Sequence, residues 1–217
     1  RRAQAGRAAA DDEHAAREPH RPPSGRPADG GLITDIAVAI IPAQSKAPKP
    51  DPVVFMTGGP GAAAILDIPF LVDAGINKNR DMIVMAQRGT LYDKPDLYCP
   101  ELDHFYARQV SMVFDAPSTG KKQAAAARAC HDRLVKRGTE PAAYNTAENT
   151  ADFAALRQAL GVEEWNIYGY SYGSDLALSF LRDYPEGIRT VTIDSVVPPN
   201  IVSLPWTWSS AREGIMT

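Results

Sequence analysis

The segment Gly169-Tyr170-Ser171-Tyr172-Gly173 sets a hydroxyl between two glycines at the spacing of a Gly-x-Ser-x-Gly nucleophile elbow. The chemistry it points to is attack of a serine oxygen on a carbonyl carbon. Gly169 and Gly173 are the residues that let backbone segments approach where a Cβ would collide, while Ser171 is forced into a strained turn with its Oγ exposed. The flanks agree with this reading. Trp165-Asn166-Ile167-Tyr168 reads as a strand, and Leu176, Ala177, Phe180, Leu181 and Tyr184 line one face of a helix that Pro185 closes. That helix would also turn its N-terminal N–H groups toward negative charge developing beside Ser171.

Such a reaction needs two backbone donors for the oxyanion, one from the residue after the nucleophile and one from the loop after an earlier strand. Tyr172 fills the first position. Thr57-Gly58-Gly59-Pro60-Gly61 suits the second, because glycines expose an N–H without side-chain obstruction. Gly59 is the first choice there and Gly58 the second. A phosphate cradle is excluded, since no Gly-Lys-Ser/Thr follows these glycines and Asp115 stands where Thr119-Gly120-Lys121-Lys122 would need its first glycine.

The general base is the gap in this set. In the Ser, acid, His chain order that goes with this turn, both partners follow the serine, yet the four histidines are His14, His20, His104 and His131. His104 falls in what reads as a loop after Cys99, and His131 in a helix. Asp194 ends the strand after the turn and is expected to bond a neighbouring turn rather than to act as the acid. Asp175 lies in the first turn of the helix, where a carboxylate suits the dipole and can perturb the serine.

The elements that must position these residues alternate. Leu32 to Ile41 reads as an early strand with Leu32, Thr34, Ile36, Val38 and Ile40 on one side, followed by a loop marked by Pro48, Pro50 and Pro52. Val53 to Met56 and Met82 to Ala86 are short apolar runs entering loops, as buried strands do. A helix capped by Ser118 or Thr119 runs to Arg137 and stops at Gly138, and another, opened by Asn149 or Thr150, carries Phe153, Leu156 and Leu160 to Gly161. Thr190 to Ile193 is a further strand. Strands alternating with helices imply a parallel sheet covered by helices, with ligands at the carboxyl ends of the strands.

The 217 residues suffice for one domain with a core, and a hydrophobic share of 44% is that of a globular chain. A formal net charge of -3 without a basic stripe excludes nucleic acid as the expected partner. No apolar run approaches the roughly 18 residues of a membrane span, and no cofactor motif is present. Nothing in the residues sets the oligomeric state. Residues 1–30, rich in Ala, Arg, Pro and charge, read as a disordered arm without a signal peptide. Cys99 and Cys130 can pair or be separate buried thiols, and a zinc site built from them with His104 and His131 fits no structural-zinc spacing.

Taken together, Phe55-Met56-Thr57-Gly58-Gly59-Pro60-Gly61, Gln87-Arg88-Gly89-Thr90 and Gly169-Tyr170-Ser171-Tyr172-Gly173 resemble, in order and spacing, the prolyl iminopeptidase and tripeptidyl aminopeptidase-like family of α/β-hydrolases. The resemblance runs from about Leu32 to Pro199. It implies an α/β fold whose mostly parallel sheet is flanked by helices, with residues 31–199 as the front part of the core. Pro198-Pro199, Trp206 and Trp208 look like the start of the family's cap over residues 200–217, and the acid and histidine are then expected beyond Thr217. The implied activity is release of amino acids or short peptides from a free N-terminus through an acyl-enzyme on Ser171. An esterase on the same fold and an inactive or binding shell are the alternatives, and the substrate is a peptide or a small amide or ester. Two positions depart from the family pattern: Ala86 stands where an aspartate is usual and Thr57 where a histidine is usual, which bears on loop geometry. Cys99 and Cys130 match a cysteine pair of secreted members, which implies a disulfide and export, with a cytoplasmic location as the alternative.

Overall fold

Period-two alternation along three strands fixes the layers. In β2 (Lys49–Met56), Val54 and Met56 face one side and Phe55 the other; in β3 (Arg80–Met85), Ile83 and Met85 oppose Met82 and Val84; in β4 (Trp165–Tyr170), Trp165 and Ile167 oppose Tyr168. The structure, a computed structural model, describes residues 34–113 and 116–196. The expected arm over residues 1–30, the cap start over 200–217 and the outer ends of the 31–199 core lie outside the described residues.

On one face α4 (Thr146–Ala159) and α5 (Tyr172–Asp183) bring Phe153, Leu176, Ala177 and Phe180 against Val54, Met56, Ile83, Met85, Trp165 and Ile167. On the other, a 3-10 turn at Ala64–Asp67 and α1 (Ile68–Asp73) bring Ala64 and Leu71 against Phe55, Met82 and Val84. Burying a side chain such as Phe180 or Leu71 contributes about 1.5–3 kcal/mol.

The sheet order is β1-β3-β2-β4-β5, with β1 (Val38–Ile41) antiparallel to β3 and the other pairs, out to β5 (Ile188–Asp194), parallel. The chain leaves β2 toward β3 on one side and returns to β4 on the other, so strand order reverses between β2 and β4. Ligand crevices form outside the carboxyl ends of strands at such a reversal. Register places Met56 opposite Gly169, so the loop after β2 and the turn after β4 leave the sheet side by side at one level.

Several elements differ from their sequence reading. β2 starts at Lys49 and runs through Pro50 and Pro52, which were expected in a loop; they fall within a register irregularity between Lys49 and Val53, where missing N–H groups are tolerated. β1 begins only at Val38, and Val38 and Ile40 point outward at 40% and 52% exposure while Ile36 packs on the core. The stripe expected to face one side is thus split where an edge strand begins. His104 is not in a loop but in α2 (Pro100–Gln109), which opens with Pro100 in its first turn. In α3 (Pro117–Lys136) the N-cap is Ala116, and Thr119 instead donates its hydroxyl to the Val113 carbonyl. α4 starts earlier than expected, at Thr146, because Asn145 accepts the Glu148 N–H at 3.0 Å; Asn149 and Thr150 are buried inside the helix.

Candidate active site

β4 ends at Tyr170 and α5 begins at Tyr172, so Ser171 alone joins strand to helix, at φ 55° and ψ -123°. A side chain in that region costs of order 1–3 kcal/mol and persists where the surroundings over-determine it. Here both adjoining peptides are held. The Ser171 N–H donates to the Asp194 carbonyl at 2.9 Å, and the Ser171 carbonyl accepts from the Ser174 N–H at 2.8 Å and the Ser174 hydroxyl at 2.6 Å. The flanking glycines are required by contact: a Cβ on Gly169 would strike the Gly173 carbonyl, and one on Gly173 would strike the Met56 carbonyl.

Against this turn lies the loop after β2. A Cβ on Gly58 would sit 2.9 Å from the Ser171 Cβ and 3.3 Å from its Oγ, so backbone stands directly beside the hydroxyl. Gly59 follows at φ 111°, a conformation open to glycine. Tyr172, as first residue of α5, presents an N–H with no acceptor in its own helix. Its hydroxyl shares a hydrogen bond of 2.9 Å with the Thr146 hydroxyl, and burial pushes its pKa up. Burial likewise raises the Asp175 carboxyl above its ordinary range. The structure therefore brings together Ser171, Gly58, Gly59, Tyr172, Gly169 and Gly173.

The remaining titratable candidates stand apart. Asp194 accepts from the Tyr168 hydroxyl at 3.1 Å and from Ser195 at 3.0 Å, and its link to the turn is through its main-chain carbonyl. His131 lies beside Asp132 at 3.1 Å on α3. Among the described residues, no imidazole or carboxylate hydrogen-bonds the Ser171 hydroxyl. Cys99 and Cys130 form a disulfide between α2 and α3, which consumes both sulfurs of the zinc set considered above. Beside it Arg133 grips Glu101 at 2.6 and 3.0 Å and holds that carboxyl down at about 2.

Sequence reasoning assigned no task to several residues that shape the site. Gln87, 3% exposed, contacts the loop after β2 through three hydrogen bonds. Thr57, at the position where the family usually has histidine, donates to Asp67 at 2.6 Å. Arg88 makes a bidentate pair with Asp152 at 2.8 Å, a 3.3 Å pair with Glu148 and a 2.6 Å bond to the Ala143 carbonyl, while its own N–H donates to Asn149. Ala86, where aspartate is usual, is wholly buried, with its N–H donated to the Ala37 carbonyl. The Gln-Arg-Gly motif was the available signal, but its partners lie far off in sequence.

A strand order reversing at the site, a serine alone at a strand-to-helix joint and a glycine loop beside it are shared by a large group of enzymes. The profile described as alpha/beta hydrolase fold matches residues 51–214. The chain belongs to the α/β-hydrolase family. Among curated relatives, it is similar to a protein named serine protease Hip1 from Mycobacterium tuberculosis, 25% identical over 179 residues, which are 76% of this chain and 33% of that one. It is also similar to a tripeptidyl aminopeptidase from Streptomyces coelicolor, 27% identical over 154 residues, or 68% of this chain and 28% of the relative. The chain thus spans about a third of the length of these relatives. A solved proline iminopeptidase from Mycobacterium smegmatis aligns with a TM-score of 0.46 at 17% identity, covering 72% of this chain and 38% of that one. Among the described residues, no helix is long and apolar enough to cross a membrane.

Proposed function

We propose that this α/β-hydrolase chain carries the nucleophile and oxyanion site of a serine hydrolase of the aminopeptidase type. The observation that carries the reading is Ser171 at φ 55° between β4 and α5, with the backbone of Gly58 against its side chain. In this mechanism Ser171 Oγ attacks the carbonyl of the first residues of a peptide, the Gly59 and Tyr172 N–H groups receive the developing oxyanion, and collapse expels the amine. Water then releases the acyl group from Ser171. The proton taken from Ser171 requires a histidine, oriented by an acid; in the proposal both come from polypeptide following Thr217, in the order serine, acid, histidine. The similarity to a tripeptidyl aminopeptidase supports the peptide class of substrate, and the Cys99–Cys130 disulfide supports an oxidising, exported setting.

The second reading on the same fold is a binding shell without turnover. A fluorophosphonate separates the two. Stoichiometric labelling of the full-length protein, lost in Ser171→Ala together with hydrolysis of an aminoacyl anilide, is the expected result. A Ser171→Ala protein that keeps its hydrolase activity overturns the proposal, and a folded wild type that neither labels nor hydrolyses establishes the binding shell. Faster turnover of simple esters than of aminoacyl anilides would move the substrate class to esters.

A further inference from the structure

Gln87 lies in the loop after β3, outside both motifs that form the turn and the glycine loop, yet its side chain is spent on the latter. Its amide nitrogen donates to the Thr57 and Gly58 carbonyls, each at 3.0 Å, and its amide oxygen accepts the Gly61 N–H at 3.0 Å. A primary amide has two N–H donors; both are committed to consecutive carbonyls. Three bonds thus bracket Gly59 from either side. The side chain is buried, so each bond lost would leave a polar group without water to replace it.

The direction of these bonds matters more than their number. The Gly58 carbonyl and the Gly59 N–H belong to one planar peptide, which is trans here, so the two groups point in opposite directions. Drawing the Gly58 oxygen toward Gln87 therefore turns the Gly59 N–H away from Gln87. The same holds one residue earlier for the Thr57 carbonyl and the Gly58 N–H. Glycines have wide freedom to rotate their peptides, and Gly58 and Gly59 carry no side chains of their own to resist such a flip. Thr57, by contrast, is anchored through its hydroxyl to Asp67.

We infer that Gln87 is the positioning residue of the oxyanion site: it fixes the orientation of the Gly58–Gly59 peptide and so aims the Gly59 N–H. This rests on the reading of Ser171 and Gly59 proposed above. Gln87 itself touches no reacting atom.

Gln87→Glu in the full-length protein tests it. The glutamate keeps the shape and the acceptor for Gly61, but as a carboxylate it opposes two carbonyl oxygens and releases the peptide. With an aminoacyl anilide, kcat is expected to fall about 10- to 100-fold, somewhat less than or comparable to loss of an oxyanion donor outright, with KM within about 3-fold, since the donor acts on the developing charge. Lowering the pH protonates the glutamate, which can then donate to one carbonyl, so the ratio of variant to wild-type kcat rises toward acid. Thermal melting establishes that the variant is folded; if it is not, Gln87→Met, which removes all three bonds without adding charge, is assayed for the same fall in kcat at constant KM. Wild-type kcat in a folded variant overturns the inference, including where KM alone rises. If Ser171→Ala retains activity, the reading of Ser171 fails instead; if Ser171→Ala is inactive and Gln87→Glu is not, only the role of Gln87 fails.

Discussion

The Met56 carbonyl oxygen occupies the space into which any side chain on Gly173 would project. At this point strand β2 and helix α5 therefore meet backbone to backbone, and this contact seats the start of α5 close beside the end of β2. Gly173→Ala cannot be relieved by turning a neighbouring side chain, because the obstacle is a strand carbonyl. The expected loss is about 3 kcal/mol, at the upper end for overpacking, read as a lower urea midpoint with unchanged slope.

Ser171 makes the opposite test of the same turn. Its φ of 55° is unfavourable for a residue with a Cβ. Ser171→Ala keeps that cost, whereas Ser171→Gly removes it and gives back some chain entropy on unfolding. The glycine variant is expected to be more stable than the alanine variant by about 1 kcal/mol, by equilibrium denaturation of the two proteins side by side.

How much of this could be read from sequence follows from the range of the forces involved. The turn at Ser171 was legible because its cause is local: two glycines within two residues of the serine, a strand before and a helix after. The Thr57–Gly61 loop was legible as glycine freedom. Gln87 and Arg88 were visible only as a motif, since Gln87 binds residues 26 to 30 positions away and Arg88 reaches Asp152 across 64. α1 and α2 escaped because they are short, 6 and 10 residues, too few for a helical period to stand out; β1 was legible as a strand, but the face it turns to its neighbours is set by pairing with β3 rather than by its own alternation.

Arg88 ties the loop after β3 to the start of α4 through two carboxylates and two carbonyls, with its side chain only 12% exposed. Removing it strands Asp152 and Glu148 together. Arg88→Ala is expected to cost about 3 kcal/mol, as for breaking a largely buried pair, and Arg88→Lys to recover little, because a lysine cannot reproduce the two parallel bonds to Asp152. Thermal unfolding of both variants checks the order wild type, then Lys, then Ala.

The disulfide joins Cys99 and Cys130 across 31 residues and clamps α2 to α3. Closing a loop of that size in the unfolded chain stabilises the fold by about 3–4 kcal/mol on the chain-entropy account. Cys99→Ala with Cys130→Ala is expected to lower the unfolding free energy, read by urea denaturation, by that amount while leaving the contacts around Ser171 in place, so fluorophosphonate labelling below the transition should match wild type. Loss of labelling in the folded double variant would instead show that the clamp reaches the site.

The last test concerns the end of the sheet opposite Ser171. There Asp51 of β2 accepts from Asn166 of β4 at 2.8 Å, from Arg80 of β3 at 3.0 Å and pairs with Arg189 of β5 at 3.1 Å, so one carboxylate joins four strands. The Asn166 amide first, and the Arg80 guanidinium with it, hold its pKa down at about 2. A carboxyl depressed in the folded state contributes stability that is complete above its unfolded pKa, about 4, and is lost as pH falls through its folded value. Wild-type stability is therefore expected to decline between about pH 4 and pH 2, with a share from Glu101, which is held down in the same range. Asp51→Asn removes only its own share: the variant is less stable than wild type at pH 6, where Arg80 and Arg189 face each other without their carboxylate, and the gap narrows at pH 2. Urea midpoints of both proteins at the two pH values decide it, and a gap that does not change with pH would mean that Asp51 holds the strands by hydrogen-bond geometry rather than by charge.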